Sequence, residues 1–73
     1  MITGADINVL IGNRIRELRI LKNISQLELA VKCGFERSNM SRIEAGRNNL
    51  TVATLHKIAI VLEVPLYELV KIE

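Results

Sequence analysis

The chain has 73 residues, nearly half of them hydrophobic, one cysteine, one histidine and a net charge of +2. A chain this short supports one domain with a thin stability margin. A single cysteine excludes an internal disulfide and leaves no cysteine cluster for zinc, which points to a reducing intracellular setting. The amino terminus has no basic region typical of a signal peptide, and the longest unbroken apolar run is Ile58-Ala59-Ile60-Val61-Leu62, far short of a membrane span. A cytoplasmic protein with no membrane partner is therefore expected. The charge is unevenly spread: residues 14–47 carry eight basic and four acidic side chains, a net of +4, whereas residues 48–73 sum to −1. A basic front half is an electrostatic footprint that suits nucleic acid.

Each apolar stretch has helical rather than alternating period, so the chain is predicted to be all-helical. The first helix is expected from about Asp6 to Lys22, with Ile11, Ile15 and Leu18 recurring at i, i+4 and i+7 as a core stripe, and Asn23 as its stop. The second opens on Ser25 with Glu28 three residues on, a capping box in which each side chain satisfies an orphan backbone N–H. Ile24 and Leu29 staple its entry, and Gly34 after Cys33 takes the left-handed turn that ends a helix without steric penalty.

The third helix is expected after Glu36, stapled by Phe35 and Met40. A projection at about 100° per residue places Arg37, Ser38, Ser41, Arg42 and Ala45 within an arc of about 140°, opposite Met40 and Ile43. Such a helix docks through its apolar stripe and turns arginines and serines outward, where they fit phosphates and base edges. Gly46 ends it. Arg47-Asn48-Asn49 then leads to a third stapled start at Leu50, Thr51 and Leu55, with a fourth helix over about Val52 to Leu62. Pro65 is expected in the first turn of a fifth helix that continues through Leu66, Leu69 and Val70. The reading is one domain over residues 1–73, with a helix-turn-helix at about 26–45.

The pattern resembles the helix-turn-helix domains of the lambda-repressor and Cro type, often called XRE-like regulators. The resemblance rests on Gly12, Ile15, Arg16, Leu18 and Arg19, on Ser25-Gln26-x-x-Leu29-Ala30-x-x-Cys33-Gly34-Phe35, and on Met40-Ser41-Arg42-Ile43-Glu44-x-Gly46. It continues through Leu55, Lys57-Ile58-Ala59, Leu62-x-Val64 and Leu66-x-x-Leu69, spanning roughly residues 10 to 70. It implies a compact five-helix domain and a sequence-specific, DNA-binding transcriptional regulator such as a repressor; because one module buries little interface and two-fold operators match two-fold proteins, a homodimer on double-stranded DNA is expected. It also implies that Gln26 braces the recognition helix and touches a phosphate, and that Arg37, Ser38 and Arg42 read bases. Asn39 and Ser41 are then backbone contacts, and Arg47, Asn48 and Asn49 rest on the phosphodiester chain. An ion pair between Arg19 and Glu44 is implied as a structural element.

Ile20, Leu21 and Ile60 depart from the family in being apolar, and Glu36 departs in being acidic beside a phosphate backbone. The dimer seam is expected on Ile60, Val61, Leu66, Tyr67 and Val70. The alternative is a protein-interaction module such as an antitoxin, with a toxin as main partner and DNA binding secondary; the surplus apolar residues support it and the outward arginines oppose it. Catalysis is not expected, because Cys33 is predicted buried and His56 solvated, and a nucleophile needs a positioned base. No cofactor, metal or small-molecule substrate is implied.

Overall fold

The computed structural model describes residues 3–71 as five α-helices in the order α1 (Gly4–Leu21), α2 (Gln26–Cys33), α3 (Arg37–Glu44), α4 (Val52–Leu62) and α5 (Tyr67–Val70). The first helix starts two residues earlier than Asp6 and ends one before Lys22. Thr3 is the reason: its hydroxyl accepts from the Asp6 N–H at 3.2 Å while the Asp6 carboxylate accepts from the Thr3 N–H at 3.0 Å, a reciprocal cap that places Asp6 in the first turn rather than at the boundary. Those bonds hold the Asp6 carboxyl below its ordinary range. The fifth helix is also corrected. Pro65 lies ahead of it, in a tighter turn in which the Pro65 carbonyl accepts from Glu68 N–H and that of Leu66 from Leu69 N–H, both at 3.0 Å.

The three staples form as read. Leu29, Met40 and Leu55 are buried, while Ile24, Phe35 and Leu50 are half-buried and packed on the core. Four helices end the same way: a residue with positive φ follows the last turn, and the next N–H reaches back to a carbonyl five residues earlier. Gly34 (φ +74) and Gly46 (φ +74) do this for α2 and α3, Asn23 (φ 57) for α1, and Glu63 (φ 58) for α4. Gly34 makes the turn between α2 and α3, and a Cβ there would meet only open space and the distant Lys57 ammonium. Gly34→Val should therefore be destabilising through backbone strain alone, by about 1–2 kcal/mol, and a thermal midpoint equal to wild type would place the turn's constraint elsewhere.

One core joins all five helices. Ile15, Leu29, Met40, Ile43, Ile58, Leu62 and Leu69 are each almost fully buried, with Cys33 among them. Burial pushes the Cys33 thiol up, against the pull of Lys57, so this cysteine packs as a small hydrophobe. Arg14 anchors the short α5: its Nε donates to the Glu68 carbonyl at 2.8 Å and its other nitrogens reach the carboxylates of Glu68 and Glu17. Among the described residues no helix is long and apolar enough to cross a membrane.

Candidate nucleic-acid interface

The site is built on how α3 is seated. Met40, Ile43 and Glu44 are buried, and Arg37, Ser38, Ser41, Arg42 and Ala45 stand exposed on the opposite side. Glu36 caps the helix by conformation only, with no side-chain hydrogen bond, so the first turn of α3 keeps its N–H groups available. An exposed helix start with Arg37 and Ser38 beside it is a natural seat for phosphate or base acceptors.

Behind this face lies a polar joint between α1, α2 and α3. Arg19 Nε donates to Glu44 Oε2 at 2.7 Å and a second guanidinium nitrogen donates to Oε1 at 3.1 Å, a two-pronged pair with both side chains nearly out of solvent. The third nitrogen donates to the Ile24 carbonyl at 2.9 Å, which ties the α1–α2 loop into the same joint. Gln26, the first residue of α2, donates from Nε2 to Glu44 Oε1 at 3.3 Å. Gln26 is thereby fixed against the end of α3. Among the described residues no buried side-chain nitrogen or oxygen lacks a hydrogen-bond partner, so the joint is fully satisfied.

Two clefts flank the exposed face. One, of about 340 Å³, is lined by Arg16, Arg19, Gln26, Ser41, Glu44 and Ala45. The other, of about 350 Å³, runs along the α3–α4 loop between Asn39 and Thr54 and takes in Arg47, Asn48 and Asn49. Arg16 is one of two α1 arginines between which the sequence does not choose a phosphate contact. On the sequence it looks equivalent to Arg14, yet Arg14 is consumed by Glu68 and Glu17 whereas Arg16 opens onto the cleft beside Gln26 and Ser41. Among the described residues Arg16, Arg37, Arg42 and Arg47 form no ion pair, so their guanidinium groups remain available on this side, with the exposed Glu36 as the acidic residue next to Arg37.

Asn39 and Asn48 are less free than a surface reading suggests. Asn39 is half-buried and its side-chain oxygen accepts from Asn48 Nδ2 at 2.9 Å, so its side-chain N–H groups are the part still free to donate. The proposed dimer residues divide similarly. Ile60, Tyr67 and Val70 are exposed, at 62%, 63% and 44%, whereas Val61 and Leu66 are half-buried against the core and have little surface left to offer.

Two short helices hinged at Gly34, the second presenting a polar, cationic face, define a helix-turn-helix unit within a five-helix bundle. The sequence profile of the family described as Helix-turn-helix matches residues 15–69, and the chain belongs to that family. It is 38% identical over 65 residues to an uncharacterized HTH-type transcriptional regulator from Sinorhizobium fredii, covering 89% of this chain and 84% of that protein. Its structure is similar to that of the restriction-modification controller protein C.AhdI from Aeromonas hydrophila, with a TM-score of 0.80, 38% identity and coverage of 84% of this chain and 92% of the other. A further similar structure is that of SinR, a master regulator for biofilm formation, in complex with DNA, with a TM-score of 0.77, 37% identity and coverage of 84% and 98%.

Proposed function

We propose that this chain is a sequence-specific transcriptional regulator that lays α3 in the major groove of double-stranded DNA and acts as a homodimer on a two-fold operator in the cytoplasm. The observation that carries this reading is the two-sided α3, anchored by Met40 and Ile43 and offering Arg37, Ser38, Ser41 and Arg42 outward. Support comes from the relatives, which include a named transcriptional regulator and a structure solved on DNA. Arg37, Ser38 and Arg42 take the base edges, where an arginine fork suits guanine O6 and N7. Gln26, Ser41, Asn39, Arg47, Asn48 and Asn49 take the backbone, with Arg16 added beside Gln26. Regulation is by occupancy and not by chemistry.

One such module buries too little surface for tight operator binding, and two-fold sites match two-fold proteins. The seam is assigned to Ile60, Tyr67 and Val70, with Val61 and Leu66 as its inner wall. Arg14 supports that seam by holding Glu68 of α5 against α1.

Replacing Arg37 or Arg42 by Ala should cost about 1–3 kcal/mol on the preferred site and relax base choice at one position, whereas Arg47→Ala should weaken all duplexes alike and lower the salt slope by about one. Titration against duplex at several salt concentrations tests the reading itself. Log affinity should fall steeply and linearly with log salt. A flat response would remove DNA as the partner and favour a protein ligand for the exposed apolar residues.

A further inference from the structure

Residues 8 and 9 of α1 hold both ends of the loop that follows α3. At one end, Gly46 lies so close to α1 that a Cβ on it would fall 2.5 Å from Val9 Cα and 2.7 Å from both Val9 N and Val9 Cγ2, so the Gly46 backbone packs on the backbone and side chain of Val9. At the other end, Asn8 Nδ2 donates to Asn49 Oδ1 at 3.0 Å, across 41 positions of sequence. Between them Asn48 is bonded to Asn39 of α3. Arg47, Asn48 and Asn49 thus sit in a polar segment outside any helix, fixed by α1 on one side and by α3 on the other.

Ordering an irregular residue costs roughly 1–2 kcal/mol. A segment already ordered in the free protein does not incur that cost on binding, so its contacts appear in full as affinity. We propose that Asn8 is a positioning residue that preorganises the Arg47–Asn49 loop for the DNA backbone by holding Asn49 from α1. The assignment rests on the DNA-binding reading given above. Asn8 acts through Asn49, so its influence on binding requires Asn49 to be present.

The experiment is a double-mutant cycle of Asn8→Ala, Asn49→Ala and the pair, measured by equilibrium binding to duplex DNA, together with backbone relaxation of the free proteins by NMR. Asn8→Ala should weaken binding roughly threefold, because part of the loop's ordering cost is then incurred on binding. Its salt slope should not change, because no charge is removed. Its thermal midpoint should stay level, because the better helix propensity of Ala offsets the loss of one exposed hydrogen bond; affinity then falls without a fall in stability, which a merely structural role does not produce. In the Asn49→Ala background the substitution should have no further effect. In the free protein, order parameters at Arg47–Asn49 should fall while those of α3 hold. Equal effects of Asn8→Ala in both backgrounds, an unchanged affinity, or an unchanged loop order would each overturn the proposal. If the wild-type chain binds no duplex, the DNA reading fails, and loop order in the free protein still decides whether Asn8 holds the loop.

Discussion

Arg19→Ala is expected to destabilise the fold by about 3–5 kcal/mol, the usual penalty for stripping the partner from a buried charge. A domain of this size has roughly 4–11 kcal/mol in total, so the variant should lose a large part of its stability. The reason lies in Glu44, whose side chain retains 4% of its exposure and accepts from Arg19 on both oxygens. Without Arg19 that carboxylate keeps only the longer bond from Gln26. Arg19→Ala also releases the Ile24 carbonyl and with it the entry of α2. Exchange of both partners for apolar residues, as in Arg19→Met with Glu44→Leu, should recover most of the loss, because the expense comes from an unpaired charge and not from absence of the pair. Urea unfolding of the single and double variants measures this directly. Equal destabilisation by both would show that the pair contributes by attraction alone.

Gly12→Ala should lower stability by about 2 kcal/mol, although the same change in a helix interior ordinarily gains about 1 kcal/mol. Gly12 faces the end of α3, and a Cβ there would stand 2.6 Å from the carbonyl oxygens of both Ile43 and Glu44. These are backbone atoms, so no side-chain rotation relieves the clash and the helices must separate. Gly12, Ile15 and Arg19 lie at i, i+3 and i+7 and share one face of α1. Pushing that face away also lengthens the Arg19–Glu44 contact, so this change and Arg19→Ala should be strongly non-additive. The thermal midpoint should fall by roughly 10 °C, and a midpoint at or above wild type would show that α1 does not press on α3 at this point.

The parts of the fold that were legible in the sequence are those specified within a turn or two of chain. The staples around Ser25, Glu36 and Thr51, the αL turn at Gly34 and the two faces of α3 are all local patterns, and each stands where the pattern put it. The start of α1 is set by a local signal too, since Thr3 with Asp6 three residues on is a capping pair. Glu63 in a left-handed turn had no such signal. It is a poor residue for positive φ, held there because Val64 packs on the core and its N–H bonds to the Ala59 carbonyl.

The candidate site divides along the same line. Which residues face outward on α3 follows from helical period alone. Which arginine of α1 remains available does not, since Arg14 and Arg16 differ only in where α5, the start of α2 and the end of α3 come to rest. The Asn8–Asn49 and Asn39–Asn48 bonds are beyond reach for the same reason, because they depend on how the α3–α4 loop is laid against two helices. The family resemblance implied the Arg19–Glu44 pairing, and the coordinates add its geometry and its tie to Gln26.

On the proposed function, the exposed face of α3 reads DNA sequence and two copies do so together. Selection of bound duplexes from a random pool tests both parts at once. The account predicts an enriched two-fold site containing at least one guanine per half, with half-site centres about 34 Å apart, and loss of that guanine preference when Arg37 and Arg42 are replaced by Ala. A pool that stays random after repeated selection at low salt, or an enriched motif that the double replacement leaves unchanged, would contradict it.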